Sequence, residues 1–164
     1  MVALAGLNLP ANLSFYAIPA MWVTSIAPHF YAVSVYNSER APGTEEWDNR
    51  EPKKNLEKVK SAKLSPSATE KFERAEAAQS NGFENLPLFA AAVVAGNVAR
   101  LPTSTLNTAV GIYLASRVVY NVIYITNSTK LAANLRSVTY LTGIATVMTL
   151  FVKAGNAFSS GLLL

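Results

Sequence analysis

Residues 104–126, STLNTAVGIYLASRVVYNVIYIT, and residues 131–151, LAANLRSVTYLTGIATVMTLF, are the stretches that decide the fold. Each holds a single charged side chain, Arg117 in the first and Arg136 in the second. A helix of about 20 mostly apolar residues is long enough to cross the roughly 30 Å hydrocarbon core of a bilayer. Residues 127–130, NSTK, are typical of a tight turn. The pattern therefore predicts two membrane helices that run antiparallel to each other.

Two further stretches have similar character. Residues 13–36 contain no acidic residue, Lys or Arg, and residues 71–100 become apolar in their second half. The sequence Ser65-Pro66-Ser67 is typical of a helix start, with proline near the first turn. We therefore predict an all-α fold, a four-helix transmembrane bundle that forms one domain over residues 1–164. The predicted spans are residues 13–36, 71–100, 104–126 and 131–151, and the predicted cytoplasmic loop is residues 37–66.

The composition agrees with a membrane protein. Of the 164 residues, 51% are hydrophobic and only 15% are charged. Nine of the ten acidic residues and nine of the fourteen Lys and Arg residues lie between Glu39 and Glu76. Because acids and bases alternate there without forming a basic stripe, the net charge of +4 does not indicate nucleic-acid binding. Lys and Arg concentrate around the first loop and the turn at 127–130, which predicts that both face the cytoplasm.

The residue types exclude some chemistry. The chain has no Cys and a single His, so a disulfide framework and the usual thiolate or His-cluster metal centres are excluded. Any thiol chemistry must use a thiol that a ligand brings. We interpret His29, the single His, as an interfacial or helix-bonded side chain rather than a catalyst.

Three charged residues fall inside the predicted spans, namely Glu84, Arg117 and Arg136. A charge at the centre of a membrane helix costs about 2.5–3.5 kcal/mol on insertion scales, so each needs a reason. At a rise of 1.5 Å per residue all three lie roughly 9–14 Å from the cytoplasmic ends of their helices, and a shared cavity is expected. In the alternative, structural interpretation, Glu84 pairs with one arginine to hold helices together. Even then, two arginines against one glutamate leave a positive charge that an anionic ligand would balance.

Helical spacing groups other polar residues with these charges. Side chains three, four or seven positions apart share a face of a helix. The residues grouped in this way are Arg74, Ala77, Asn81 and Glu84 on the second span, Tyr113, Arg117, Tyr120 and Tyr124 on the third, and Arg136 with Tyr140 and the adjacent Ser137 on the fourth. The sequence thus predicts a polar cleft lined by the second, third and fourth helices.

At these residues the chain resembles the MAPEG family, the membrane-associated proteins in eicosanoid and glutathione metabolism. Residues 73–89, ERAEAAQSNGFENLPLF, resemble the family's second-helix signature, in which Glu-Arg is followed by Asn and then by Glu three residues later. Residues 47–53, WDNREPK, are similar to a loop of its bacterial and fungal branch, and residues 136–140, RSVTY, to a stretch that carries a thiolate-stabilising Arg and Ser. The chain departs from parts of the family at Gln79 and Ser80, where His and Arg are found.

The resemblance implies a membrane-bound glutathione-dependent transferase or peroxidase that acts on a lipophilic electrophile. It implies a homotrimer that binds glutathione between neighbouring subunits, in the endoplasmic reticulum membrane of a eukaryote or the inner membrane of a bacterium. In this view Arg136 holds the glutathione thiol as thiolate and Ser137 donates a hydrogen bond to it. The implied glutathione-binding residues are Arg74, Asn81, Glu84, Arg117, Tyr120, Tyr124 and Tyr140, and no metal is implied.

Other functions stay open at this point. One is a glutathione-dependent isomerase in lipid or secondary metabolism, and another is a non-enzymatic lipid-binding or scaffold protein of the same fold. A small transporter or channel fits less well, because the polar residues gather in one half of the membrane rather than crossing it.

Overall fold

The computed structural model describes residues 11–50 and 52–161, and this part of the chain is helical without strands. A short 3-10 turn at Ser14–Tyr16 leads into the first helix. The helices are α1 (Ala17–Glu39), α2 (Pro52–Ser61), α3 (Pro66–Val98), α4 (Thr103–Thr126) and α5 (Lys130–Ser159). The prediction of an all-α bundle is confirmed, with α1, α3, α4 and α5 as its four long helices.

Local sequence sets the helix starts. Ser65 caps α3, since its hydroxyl accepts a hydrogen bond from the amide of Ala68 at 3.2 Å, and Pro66 occupies the first turn. Thr129 caps α5 in the same way. Helix α3 begins at Pro66, as the sequence Ser65-Pro66-Ser67 predicts, and α5 continues past residue 151, the end of the predicted span, to Ser159.

A cluster of buried hydrophobic side chains, which we call the apolar core, stabilises one half of the bundle. Its buried members come from all four long helices, and the rings of Phe89 and Tyr113 stack at its centre with centroids 4.1 Å apart. At Gly96 an added Cβ would lie 2.8 Å from Leu106 Cδ2, so α3 and α4 approach each other closely. The buried members are Ala17, Met21, Phe89, Ala92, Val93, Leu106, Val110, Tyr113, Val147 and Leu150.

The opposite end is closed by the loop between α1 and α3. Trp47 packs edge-on to Tyr36 of α1, with ring centroids 5.8 Å apart, and the Tyr36 hydroxyl donates to the Glu45 carbonyl. Asn55 of α2 bonds both the amide and the carbonyl of Asp48. The loop thus folds onto the helices as ordered structure. Glu51, which belongs to the WDNREPK stretch, lies outside the described residues.

Helix α1 contains an internal proline, Pro28, which has no amide proton to give the carbonyl of Thr24. Asn121 of α4 supplies the missing donor, because its Nδ2 lies 2.9 Å from the Thr24 oxygen. Helix α1 also touches α3 at Gly82, where an added Cβ would come within 2.9 Å of the Ser25 side chain. Both contacts fix α1 against its neighbours.

Among the described helices, α4 and α5 are long and apolar enough to cross a membrane by length and composition. These two correspond to the predicted spans 104–126 and 131–151. That α1 and α3 also cross, giving four spans, stays a prediction.

Candidate functional site

Arg117 lies in the middle of α4 and is only 2% exposed. Its Nη2 donates to the side-chain oxygen of Asn81 on α3 at 2.5 Å. Its Cζ lies 4.4 Å from the centre of the Tyr120 ring and 5.9 Å from that of Tyr140. Its Nε is buried and has no hydrogen-bond partner among the described residues. Arg117 is therefore a buried cation whose hydrogen-bonding capacity is only partly used.

Arg136 enters the same region from α5. Its Cζ lies 4.3 Å from the centre of the Tyr124 ring. The ring centroids of Tyr120 and Tyr124 are 5.5 Å apart, and those of Tyr120 and Tyr140 are 6.2 Å apart. Tyrosine rings thus connect the two guanidinium groups. We call this set the arginine–tyrosine cluster, and its members are Asn81, Arg117, Tyr120, Tyr124, Arg136 and Tyr140.

The charge of this cluster is not balanced within the described chain. No carboxylate forms an ion pair with Arg117 or Arg136 among residues 11–50 and 52–161. Contact between a guanidinium and an aromatic face contributes about 0.5–2 kcal/mol, which is less than the cost of burying a charge inside a membrane helix. The cluster is therefore suited to bind an anion.

Glu84 makes no ion pair with Arg117 or Arg136 within residues 11–50 and 52–161, although the structural interpretation of the sequence would require one. It is exposed on α3, and Asn81 contacts Arg117 instead. Successive helical residues are about 100° apart, so Glu84 lies about 60° around the helix from Asn81. That rotation carries the carboxylate out of the contact with α4. In the single chain Glu84 faces away from the bundle, beside the cluster rather than inside it.

Arg74 makes structural contacts at the C-terminal end of α4. Its Nη1 donates to the carbonyls of Tyr124 and Asn127 at the end of that helix, where backbone carbonyls have no hydrogen-bond partner within the helix. Its Nη2 donates to a carboxylate oxygen of Glu70 at 2.7 Å. A cation at a helix C-terminus also interacts favourably with the helix dipole. Arg74 thus meets the arginine–tyrosine cluster at the backbone carbonyl of Tyr124, at the end of α4.

Ser137 follows Arg136 on α5 and is exposed. Its hydroxyl donates to the carbonyl of Ala133 at 3.1 Å, which is the usual resting contact of a serine in a helix. It lies at the surface of the bundle, next to the cluster.

The sequence interpretation missed a polar contact between α1 and α3. Nδ1 of His29 lies 2.7 Å from a carboxylate oxygen of Glu76, and the His29 ring meets the edge of Trp47 at a centroid distance of 5.7 Å. The only available signal was the presence of one histidine in an apolar helix. Within the described ranges, no group of three or more His, Cys, Asp or Glu side chains is placed to hold a metal ion.

A helical bundle with two helices that are long and apolar enough to cross a membrane, and with two arginines joined by tyrosine rings between its helices, is typical of a small membrane protein. The family model of the MAPEG family matches residues 2–156, and this chain belongs to the MAPEG family. It is a membrane family that includes glutathione-dependent transferases and peroxidases and proteins of eicosanoid metabolism. Comparisons with curated proteins and with solved structures give no significant match.

Proposed function

We propose that this protein is a membrane-bound glutathione-dependent transferase or peroxidase that acts on a lipophilic electrophile. One observation carries the proposal: two guanidinium groups, Arg117 and Arg136, are linked by tyrosine rings with no carboxylate paired to either among the described residues. Family membership makes glutathione the anion to test first.

The residues present fit glutathione, which carries two carboxylates and one amine. Arg117 is deep and binds a carboxylate, for which a guanidinium has matching geometry. Arg136 lies nearer the surface and holds the thiol in its ionised form. A thiol of pKa about 8.5 is mostly protonated at neutral pH, and a cation within about 4–6 Å lowers that pKa by 1–3 units. Bound glutathione supplies the nucleophilic sulfur, which reacts as the thiolate.

The remaining cluster residues order the ligand. Asn81 stays bonded to Arg117, while Tyr120, Tyr124 and Tyr140 offer their hydroxyl groups to the ligand. In this proposal the Ser137 hydroxyl turns from Ala133 towards the sulfur, and Glu84 accepts the ammonium group. The exposure of Glu84 in the single chain supports a site that a neighbouring subunit completes, in a homotrimer.

The lipophilic substrate enters from the bilayer in this proposal, and all four long helices cross it. The basic residues of the first loop and of the 127–130 turn then face the cytoplasm. Protease added from the cytoplasmic side is expected to cut the loop and spare both termini. Termini and loop cut from the same side would contradict this arrangement.

The decisive experiment titrates the purified protein with glutathione and follows the ultraviolet absorbance of the thiolate. The wild-type chain is expected to raise this absorbance at neutral pH. Arg136→Leu is expected to abolish this absorbance while the protein stays folded. Arg136→Lys is expected to keep part of it, because lysine supplies the positive charge but not the planar guanidinium group.

The matched control is Arg100→Leu, which removes an exposed arginine from the turn between α3 and α4 at the other end of the bundle. This variant should behave like the wild type. A folded Arg136→Leu protein with unchanged glutathione turnover would contradict the assignment. Wild-type protein that binds lipid but never raises the thiolate absorbance would instead be a lipid-binding or scaffold protein.

A further inference from the structure

A concavity lies between α4 and α5, at the end of the bundle away from the arginine–tyrosine cluster. It is a groove of about 700 Å³, within the size range of ligand sites. Small side chains create it, because Ala109 and Ala145 leave room between the helices. We call it the threonine groove, since its walls include Thr105, Thr108, Thr146 and Thr149.

The inner end of the threonine groove is closed by contact between the two helices. At Gly143 an added Cβ would lie 3.0 Å from Ser116 Oγ and 3.4 Å from the Tyr113 ring. The groove therefore does not continue into the arginine–tyrosine cluster. It is a separate site with its own opening.

The hydroxyl groups on the α5 wall are already used as donors within the helix. Thr142 Oγ1 donates to the Val138 carbonyl at 2.9 Å, Thr146 Oγ1 to the Thr142 carbonyl at 2.8 Å, and Thr149 Oγ1 to the Ala145 carbonyl at 2.7 Å. With their protons engaged, these residues offer methyl groups and weak acceptors to the groove. Such a wall suits a hydrocarbon chain better than a polar ligand.

Lys153 supplies the only charge among the residues that line the groove. It is exposed and forms no ion pair with any residue in the described ranges, and the sequence has no Asp or Glu after Glu84. At 1.5 Å per residue, Lys153 lies roughly 16 Å along α5 from Thr142, where the groove ends. A lysine near the end of a membrane helix reaches towards the interface, where anionic head groups lie.

We propose that the threonine groove binds one single-chain lipid carboxylate, with its carboxylate on Lys153 and its chain lying between α4 and α5. The unbalanced ammonium group selects an anion, and the α5 wall, whose threonine hydroxyls already donate within the helix, selects a hydrocarbon chain. The ligand is therefore a fatty acid rather than a neutral lipid. This site does not depend on glutathione.

The test uses full-length protein and two photoreactive probes of equal length, diazirine-bearing dodecanoate and diazirine-bearing dodecanol. Peptide mass spectrometry then locates the adducts. Dodecanoate is expected to label the groove walls on α4 and α5. Lys153→Gln should lower that labelling several-fold without changing labelling by dodecanol, and Lys153→Arg should restore it.

A second variant tests the groove without touching the charge. Thr146→Trp fills the groove and should prevent labelling by dodecanoate, whereas the control Val152→Trp, at a position 61% exposed on α5 and outside the groove, should not. Equal labelling by both probes with no response to Lys153→Gln would mean ordinary bilayer lipid and would overturn the proposal. Absence of groove labelling together with crosslinks between copies through α5 would mean a second copy of the chain and would overturn it equally. The thiolate absorbance, measured on the same samples, reports the arginine–tyrosine cluster alone, so failure of either proposal is recognisable.

Discussion

The apolar core and the arginine–tyrosine cluster occupy two halves of one helical bundle, yet they are stabilised differently. In the apolar core every buried side chain finds its partners inside the chain, as the stacked rings of Phe89 and Tyr113 illustrate. In the cluster, Arg117 is equally buried but keeps an unpartnered Nε and a charge without a described counter-ion. The first half is complete as a single chain, and we propose that the second is completed by a ligand.

This difference separates residues that maintain the fold from residues that bind. Removing a core side chain leaves a cavity, whereas removing a buried cation relieves a desolvation cost. Stability and ligand binding should therefore respond in opposite ways to substitutions in the two halves. The following predictions test that contrast, from the largest expected effect to the smallest.

Phe89→Ala should have the largest effect, a loss of roughly 3–5 kcal/mol in the free energy of unfolding, because it removes a fully buried ring from the apolar core. Reversible unfolding in detergent micelles measures this loss. Val94→Ala, on the exposed side of the same helix, is the control and should change stability little. Similar losses for both variants would mean that the core does not determine stability.

Arg74→Leu should lower the free energy of unfolding by about 1–2 kcal/mol, since it removes charged hydrogen bonds to the carbonyls that end α4. Glutathione affinity of the protein that remains folded should change little. The control Glu70→Gln removes only the ion pair that Arg74 makes with Glu70, one helical turn away on α3, and leaves the bonds to α4 intact. It should cost about 0.5 kcal/mol or less. A large loss of affinity with unchanged stability would place Arg74 among the ligand contacts instead.

Arg117→Leu should leave the free energy of unfolding unchanged or raise it by up to about 2 kcal/mol, because relief of the buried charge outweighs the lost bond to Asn81. Glutathione binding, followed by calorimetry, should disappear. Val118→Leu, at the exposed neighbouring position, should bind normally. A destabilised Arg117→Leu protein would show that the arginine belongs to the fold.

The smallest effect concerns Asp48 in the loop. Hydrogen bonds from the side chain and amide of Arg50 lower the pKa of Asp48 from 3.8 to about 2. Because the folded pKa is depressed, the stabilising contribution is fully present above pH 3.8 and is lost as the pH falls through about 2. The fluorescence of Trp47, the adjacent residue, should change in that window.

Asp48→Asn is the control for this titration. It should remove the acid transition while leaving the emission at neutral pH close to that of the wild type. A fluorescence change centred near pH 4 in the wild-type protein would contradict the ion pair with Arg50.

Helix positions followed from sequence because long uncharged runs and capping residues are local signals. The third span, predicted at residues 104–126, and α4 at Thr103–Thr126 differ by one residue at most. Helix α5 continues to Ser159, eight residues past the predicted span, because a helix can extend beyond its apolar run and an exposed lysine such as Lys153 is tolerated on it.

The side-chain partners were harder to predict. Helical spacing placed Asn81 and Glu84 on one face of α3, but spacing does not decide which of two neighbouring polar residues contacts α4, and Asn81 makes that contact. The contact of His29 with Glu76 depends on how α1 packs against α3. Sequence spacing within one helix carries no information on that packing.

The contact between Asn121 and the carbonyl of Thr24 has an evolutionary consequence. Pro28 creates the need for a donor at that carbonyl, and Asn121 meets it from another helix. A lineage that replaces the proline regains the amide proton, and selection to keep asparagine at position 121 is then relaxed. A lineage that loses the asparagine first is left with a Thr24 carbonyl that has no hydrogen-bond donor. Substitutions at the two positions should therefore be ordered in time, with the proline changing first.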